Sequence, residues 1–424
     1  MKDYKQFLTA LTKLISYKSV IDKPTDDAPF GKEIKNALNY FLDLANTMGF
    51  ETVNYDNYAG EVIFGQGEEI GIIGHLDVVP VGLGWNTDPW TLTEIDGTFF
   101  GRGVMDDKSP LLSCLFALKE LKDSGICPKR KIRLIAGCDE ESGWRDVEYL
   151  KNKTTLPEYG FSPDGNFPLS YAEKGIVEAT FSLPLPKNFS SIKGGTVINA
   201  VCDFAEATVK DSAINLELIK KHNLTLKNGN VIQSFGKAAH GSTPHLGKNA
   251  IKPLLNYMYD LGEFVLPFIE YLFEDKLGVG KLKTEQGYVT MSPNLIYEKD
   301  GKLNITCDLR IPAPLSLNGL MPTFEKFNLS VKTKVRHDPV LVEKDGWFVK
   351  TLLSAHDSVT GKVSQPISMG GSTFSRAFNK GCAFGPDFMT GNNGIHDANE
   401  HVSIKELLDS YEIYKRAIFA LAQN

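Results

Sequence analysis

The sequence predicts an α/β body with a central, mostly parallel sheet, interrupted by a separate α+β unit. Three observations carry this. The first third alternates short apolar runs with amphipathic helical stretches, the rhythm of strand, helix and parallel strand. After about residue 175 strand-like segments dominate, and from about 343 helices and glycine-rich loops return. The expected division is therefore 1–175, an insert over 176–342, and 343–424.

Taken in order, the opening MKDYKQFLTALTKLI spaces Tyr4, Phe7, Leu8, Leu11 and Ile15 along one helical face. Its apolar residues do not run together as an export signal's would. Residues 31–48 place Ile34, Leu38, Phe41, Leu42 and Ala45 on one face, with Gly49 suited to the C-terminal cap. EIGIIGH (69–75) and KIRLIAG (131–137) read as buried strands, and between them a helix opens near Pro110 and stops near Gly125. In the insert, GIVEATFSLPLP, GTVINAVCDFAEATV, GYVTMSPNLIYE, LNITCDLRIP and LSVKTKVRHDPVLV (329–342) read as strands. AINLELIKKH and NAIKPLLNYMYDLGEFVLPFIEYLF read as helical, and an amphipathic helix follows His401.

Composition narrows the function classes. Hydrophobic residues make up 42% of the chain, enough for large cores, and 46 basic against 52 acidic residues leave a charge of −6. An acidic balance argues against nucleic acid or anionic membrane as partner, since both select a basic face. No apolar run approaches the roughly 20 residues of a bilayer-spanning helix. The six cysteines are scattered without a CxxC pair, so neither a disulfide framework nor a zinc knuckle is expected. Dispersed thiols and no export signal fit the cytoplasm.

Five clusters could carry chemistry, and the first four follow or precede predicted elements where ligands of open α/β sheets bind. GHLDVVP places His75 and Asp77 directly after a strand; His-x-Asp suits a metal ligand with a carboxylate that orients it, although a lone histidine is more often structural. GRGVMDDKSP holds Asp106 and Asp107 in a glycine-flanked loop, and Asp107 could equally cap the next helix. CDEESGW offers Asp139, Glu140 and Glu141, where adjacent glutamates can divide into metal ligand and general base. Such acidic runs are usually solvated loops, but this one follows a buried strand. FSPDG contains Asp164 in what is otherwise a strong turn signal. GNNGIHDANEHV carries His396, with Glu400 and His401 readable as the cap region of the last helix.

In this order the five clusters resemble the co-catalytic zinc metallopeptidases that include aminoacylases, desuccinylases and dipeptidases. The family pattern is His-x-Asp, Asp-Asp-Lys or Asp-Met-Lys, Glu-Glu, Asp or Glu, then a late histidine. Ser109 departs from it, standing where glycine is usual. The resemblance implies a zinc-peptidase-like catalytic domain with an inserted ferredoxin-like lid, and two divalent metal ions, zinc first, with manganese or cobalt possible. Asp106 resembles the carboxylate shared by both metals. His75 and Asp164 would complete one site, Glu141 and His396 the other. Asp77 resembles the carboxylate behind His75, and Glu140 the general base. GWRD, AEKG and GGTVINA further resemble the bacterial PepV-type dipeptidase branch. FGKAAHGSTPHLGKNA resembles the lid-histidine motif, which makes His240 the expected stabiliser of the transition state and leaves His245 without a role. Asn199 and Arg310 resemble residues that hold the substrate's carboxylate end, and Gly370, Gly371 and Ser372 a backbone cradle for it.

The resemblance implies hydrolysis of a short peptide, favouring a dipeptide, by a water activated between the two metals. An N-acyl-amino-acid deacylase is the nearest rival and a non-catalytic metal-binding protein the rival of another class. Shorter-lid relatives resemble dimers in which a partner supplies the lid histidine; the long insert favours a monomer, with a homodimer as the alternative.

Overall fold

A computed structural model describes residues 1–325 and 330–423. The chain forms two compact units. The first comprises Met1–Tyr171, Val342–Ile367 and Thr373–Asn424; the second comprises Ala172–Leu341 and Ser368–Ser372.

The first unit is built on a mixed sheet. Its strands run Glu51–Tyr55, Ala59–Phe64, Lys131–Gly137, Glu69–His75, Tyr159–Ser162 and Lys380–Ala383 in spatial order. The last four of these are parallel, and the first two pair antiparallel at one edge. Parallel strands are covered on both faces, which is why EIGIIGH and KIRLIAG are continuous apolar runs instead of alternating ones. Ile70, Ile72 and Ile73, with Ile132, Leu134 and Ile135, are almost wholly buried. Each such side chain contributes about 1.5–3 kcal/mol on leaving water. The helix Lys108–Asp123 packs on Glu69–His75 and on the final helix Ile404–Gln423, which also packs on Trp347–Thr360. The opening helix Tyr4–Ser16 buries Phe7, Leu11 and Ile15 as its spacing requires. Lys32–Thr47 ends before Gly49, whose φ of +76° suits the left-handed position after a helix.

The second unit carries an antiparallel sheet of eight strands. Gly175–Pro184, Thr290–Lys299 and Lys302–Ile311 are its long members, and Ile251–Asp260 packs against it. Two expectations differ from the structure. Within GTVINAVCDFAEATV only Phe204–Val209 is strand. Gly195 turns the chain at a φ of +75°, and the residues after it bond to the loop around residue 240 in place of a ladder. The long helical stretch of 249–273 breaks at Gly262 (φ +81°), beyond which only short, irregular turns follow. Leu329, the first residue of an expected strand, lies outside the described residues; Ser330–His337 is strand. All six cysteines are free thiols, five of them buried.

Candidate metal centre

The parallel strands end level with one another. His75 closes Glu69–His75 and pairs in register with Gly137, which closes Lys131–Gly137. Residues 138–142 and 163–165 leave the neighbouring strand ends, so three acidic clusters meet at the carboxyl edge of the sheet.

Around His75 the fit is close. Its Nε2 lies 2.9 Å from Asp106 Oδ1 and 3.7 Å from Asp164 Oδ2. The other oxygen of Asp106 lies 3.0 Å from His396 Nε2, which is itself 3.2 Å from Glu141 Oε2. Asp106 thus turns one oxygen to each imidazole. Two sets of three residues, His75 with Glu140 and Asp164, and His75 with Asp106 and Glu141, each bring donor atoms within 4.8 Å of one another.

The ring of His75 is oriented from behind by Asp77. Its Nδ1 lies 2.9 Å from the backbone carbonyl of Asp77, and the Asp77 carboxylate stands further off at 3.5 Å. That carboxylate also accepts the backbone N–H groups of Glu140 (3.2 Å) and Glu141 (3.1 Å), tying the glutamate pair to the His75 strand. Asp107 occupies the first position before its helix without capping it; its Oδ2 accepts the His75 N–H at 3.1 Å. Gly74 makes that possible, because a Cβ there would fall 2.1 Å from the same oxygen. Ser109, the departure from the family pattern, donates to the Val104 carbonyl at 2.7 Å. The GWRD string braces the loop it follows. Arg145 grips Asp139 through Nε and Nη2, and Asp146 accepts the Cys138 and Asp139 N–H groups.

The electrostatics are those of a crowded anionic site. Burial pushes Glu140 well above the usual carboxylate range, and raises Glu141 with help from the Asp106 charge. Burial and Asp106 push Asp164 up to about 8. Burial works against the imidazolium of His396, yet Asp106 and Glu141 outweigh it and carry its pKa up to about 11. Burial would likewise raise Asp106, but His396 and His75 outweigh it and hold that carboxylate low. Asp77, Asp106, Glu140, Glu141 and Asp164 set five carboxyl groups around two imidazoles, and burial together with their mutual repulsion raises several of them. Buried charge of one sign is costly without a counter-ion. Imidazole and carboxylate donors gathered this closely fit divalent metal ions.

Two residues of this centre escape sequence reasoning. Arg102 and Glu400 are buried and paired at 2.7 Å, Glu400 also accepting amides of the Asp106 loop. Read linearly, Glu400 looks like a helix cap.

The remaining candidates lie in the second unit and cluster there. His240 pairs as a β-bridge with Ala200, and Gly241 N–H donates to the Asn199 carbonyl at 2.7 Å. The His240 Nδ1 is 2.7 Å from Ser242 Oγ and accepts the Ser242 N–H at 3.3 Å. Arg310 is buried; its Nε and Nη2 donate to Asp308 at 2.9 and 2.8 Å, and its Nη1 to the Gly370 carbonyl at 2.9 Å. Gly370 rests against Ser242, where a Cβ would meet Ser242 Cβ at 2.8 Å. Ser372 and Gly371 follow in the same loop, and His245 is exposed.

Comparison with known proteins identifies the family. Residues 71–420 match the family described as Peptidase family M20/M25/M40. A Staphylococcus epidermidis protein named "Putative dipeptidase" is 34% identical, covering 98% of this chain and 97% of its own length. The Bacillus subtilis "Putative dipeptidase YtjP" is 31% identical over 97% of this chain and 96% of its own. In fold, the chain is similar to aminopeptidase PepT of Bacillus cereus (TM-score 0.62, 14% identity, 99% of both chains). It is also similar to human carnosine dipeptidase 1 (TM-score 0.59, 17% identity, 99% of this chain and 97% of that one). With the relatives matched end to end and the ordered acidic clusters gathered at one sheet edge, the chain belongs to peptidase family M20/M25/M40.

Proposed function

We propose that the chain is a metal-dependent dipeptidase whose two metal ions share Asp106. The observation that carries this is the pair of Asp106 oxygens facing His75 and His396 at 2.9 and 3.0 Å. His75 and Asp164 would hold one ion, Glu141 and His396 the other. Zinc is the proposed metal, with manganese or cobalt able to use the same donors. When bound, such ions lower the pKa of water and polarise a carbonyl. Glu140 takes the proton of the attacking water and passes it to the leaving amine, a role suited to a carboxylate next to a ligand glutamate. Asp77 keeps Glu140 and Glu141 in place through their amides. His240 donates to the oxyanion that forms at the carbonyl, an interaction worth most where water is excluded.

Recognition of the substrate's carboxylate end is assigned to Asn199, Arg310 and the 370–372 loop. Arg310 has committed three donors to Asp308 and Gly370, so it also holds that loop in place. The relatives' names support a dipeptide over an acylated amino acid. Metal-loaded protein should cleave Ala-containing dipeptides and leave N-acetyl-amino acids nearly untouched; the reverse preference would make the chain a deacylase. Among the described residues no helix is long and apolar enough to cross a membrane. The long insert favours a monomer that supplies His240 to its own site. Mixing inactive His240→Ala and Glu140→Ala proteins should then restore nothing; recovered activity would show that the histidine crosses between chains.

A further inference from the structure

The GRGVMDD and GIHDANE loops lie far apart in sequence but are lashed together in the first unit. Their flanks pair as strands: Thr98–Phe100 runs antiparallel to His401–Ser403, with Phe100 opposite His401. Immediately inside that pairing, Gly101 N–H donates to the Glu400 carbonyl at 3.1 Å. The Glu400 side chain then turns inward, wholly buried, and both oxygens are used twice. Oε1 accepts the N–H groups of Met105 (2.7 Å) and Asp106 (3.1 Å). Oε2 accepts the Gly103 N–H (2.9 Å) and Arg102 Nη1 (2.7 Å). Arg102 closes the knot by donating Nη2 to the Asp397 carbonyl at 3.0 Å, one residue beyond His396. Asn399 extends it, accepting the Asn86 N–H at 2.7 Å and donating to the Gly84 carbonyl at 3.1 Å.

From this geometry we infer that Glu400, with Arg102, is the positioning pair that fixes the shared carboxylate of Asp106 relative to the imidazole of His396. The inference rests on the dinuclear reading proposed above. Glu400 sits four residues after His396 and its side chain accepts the backbone amide of Asp106, so it ties the loop that carries His396 to the shared ligand. A carboxylate is needed because four donors converge on it. An amide in its place would turn an N–H₂ towards two of them. Groups that orient metal ligands from behind typically change affinity by about 10- to 100-fold when removed.

The test measures metal binding. Glu400→Gln should fold but hold the second zinc ion about 10- to 100-fold more weakly, read by competition with a chromophoric chelator. Because leaving one half of a buried ion pair alone can itself prevent folding, Arg102→Met/Glu400→Gln is the second variant. It removes both charges and should recover thermal stability while the second ion stays weakly bound. A Glu400→Gln protein that holds two ions at wild-type affinity overturns the inference. So does a double variant in which affinity returns together with stability, because the pair would then serve the fold alone. If Asp106→Ala retains both ions tightly, the dinuclear reading itself fails, a result separate from either of these.

Discussion

Glu140 and Glu141 are neighbours in sequence, yet their surroundings separate them. Glu141 approaches His396 to 3.2 Å, whereas Glu140 lies with His75 and Asp164. Glu140→Ala should therefore lower kcat by about 10²–10⁴-fold, the usual worth of a placed general base, while metal content stays near wild type. Substantial turnover with both ions present would remove Glu140 from that role. Residue identities at the centre are legible in the sequence because five short motifs occur in order, each tied to a predicted strand end or helix start. Secondary partners are not. Nothing in the spacing says that the Asp77 carboxylate reaches the Glu140 and Glu141 amides while its backbone carbonyl orients His75. Arg102 and Glu400 are hidden for a related reason: they stand 298 positions apart, and an ion pair of that separation leaves no periodic trace.

At the scale of elements, apolar runs announce the buried parallel strands plainly, since a strand covered on both faces has no polar residues to interrupt it. Segments whose backbone is satisfied by another loop are harder to read. Residues 197–203 look like strand from their composition, but Val201 donates to Ala239, and Ile198 accepts from the Asn294 side chain. The junction of strand and helix at the metal centre depends on Asp107, whose carboxylate serves the His75 amide and not its own helix. Asp107→Asn keeps an acceptor there, whereas Asp107→Ala leaves a buried N–H unpaired. In denaturant unfolding of the metal-free protein, the alanine variant should be less stable than the asparagine variant by about 1–3 kcal/mol. Equal midpoints would show that this tie contributes nothing.

At the scale of the whole molecule, the chain folds as two units, and each gathers its own share of the candidate residues: the metal-ligand set in the first, His240 with Asn199, Arg310 and Gly370 in the second. Change of character along the sequence marks the second unit: Gly175–Pro184 alternates buried and half-exposed residues, where Glu69–His75 of the first unit is buried almost throughout. The return of residues 368–372 to that unit is not legible, since GGST contains no apolar pattern and the segment is held by scattered hydrogen bonds: Arg310 to the Gly370 carbonyl, Lys174 N–H to the Met369 carbonyl and Ser368 Oγ to the Gln286 carbonyl. The central claim, a peptidase centre completed by two ions, is tested most directly by stripping the protein with chelator and titrating zinc back while following hydrolysis of an Ala-containing dipeptide. Activity should be negligible in the stripped protein and should rise to a plateau at about two equivalents, as a shared carboxylate between two metals requires. Full activity without metal, or a plateau reached at one equivalent, would contradict it.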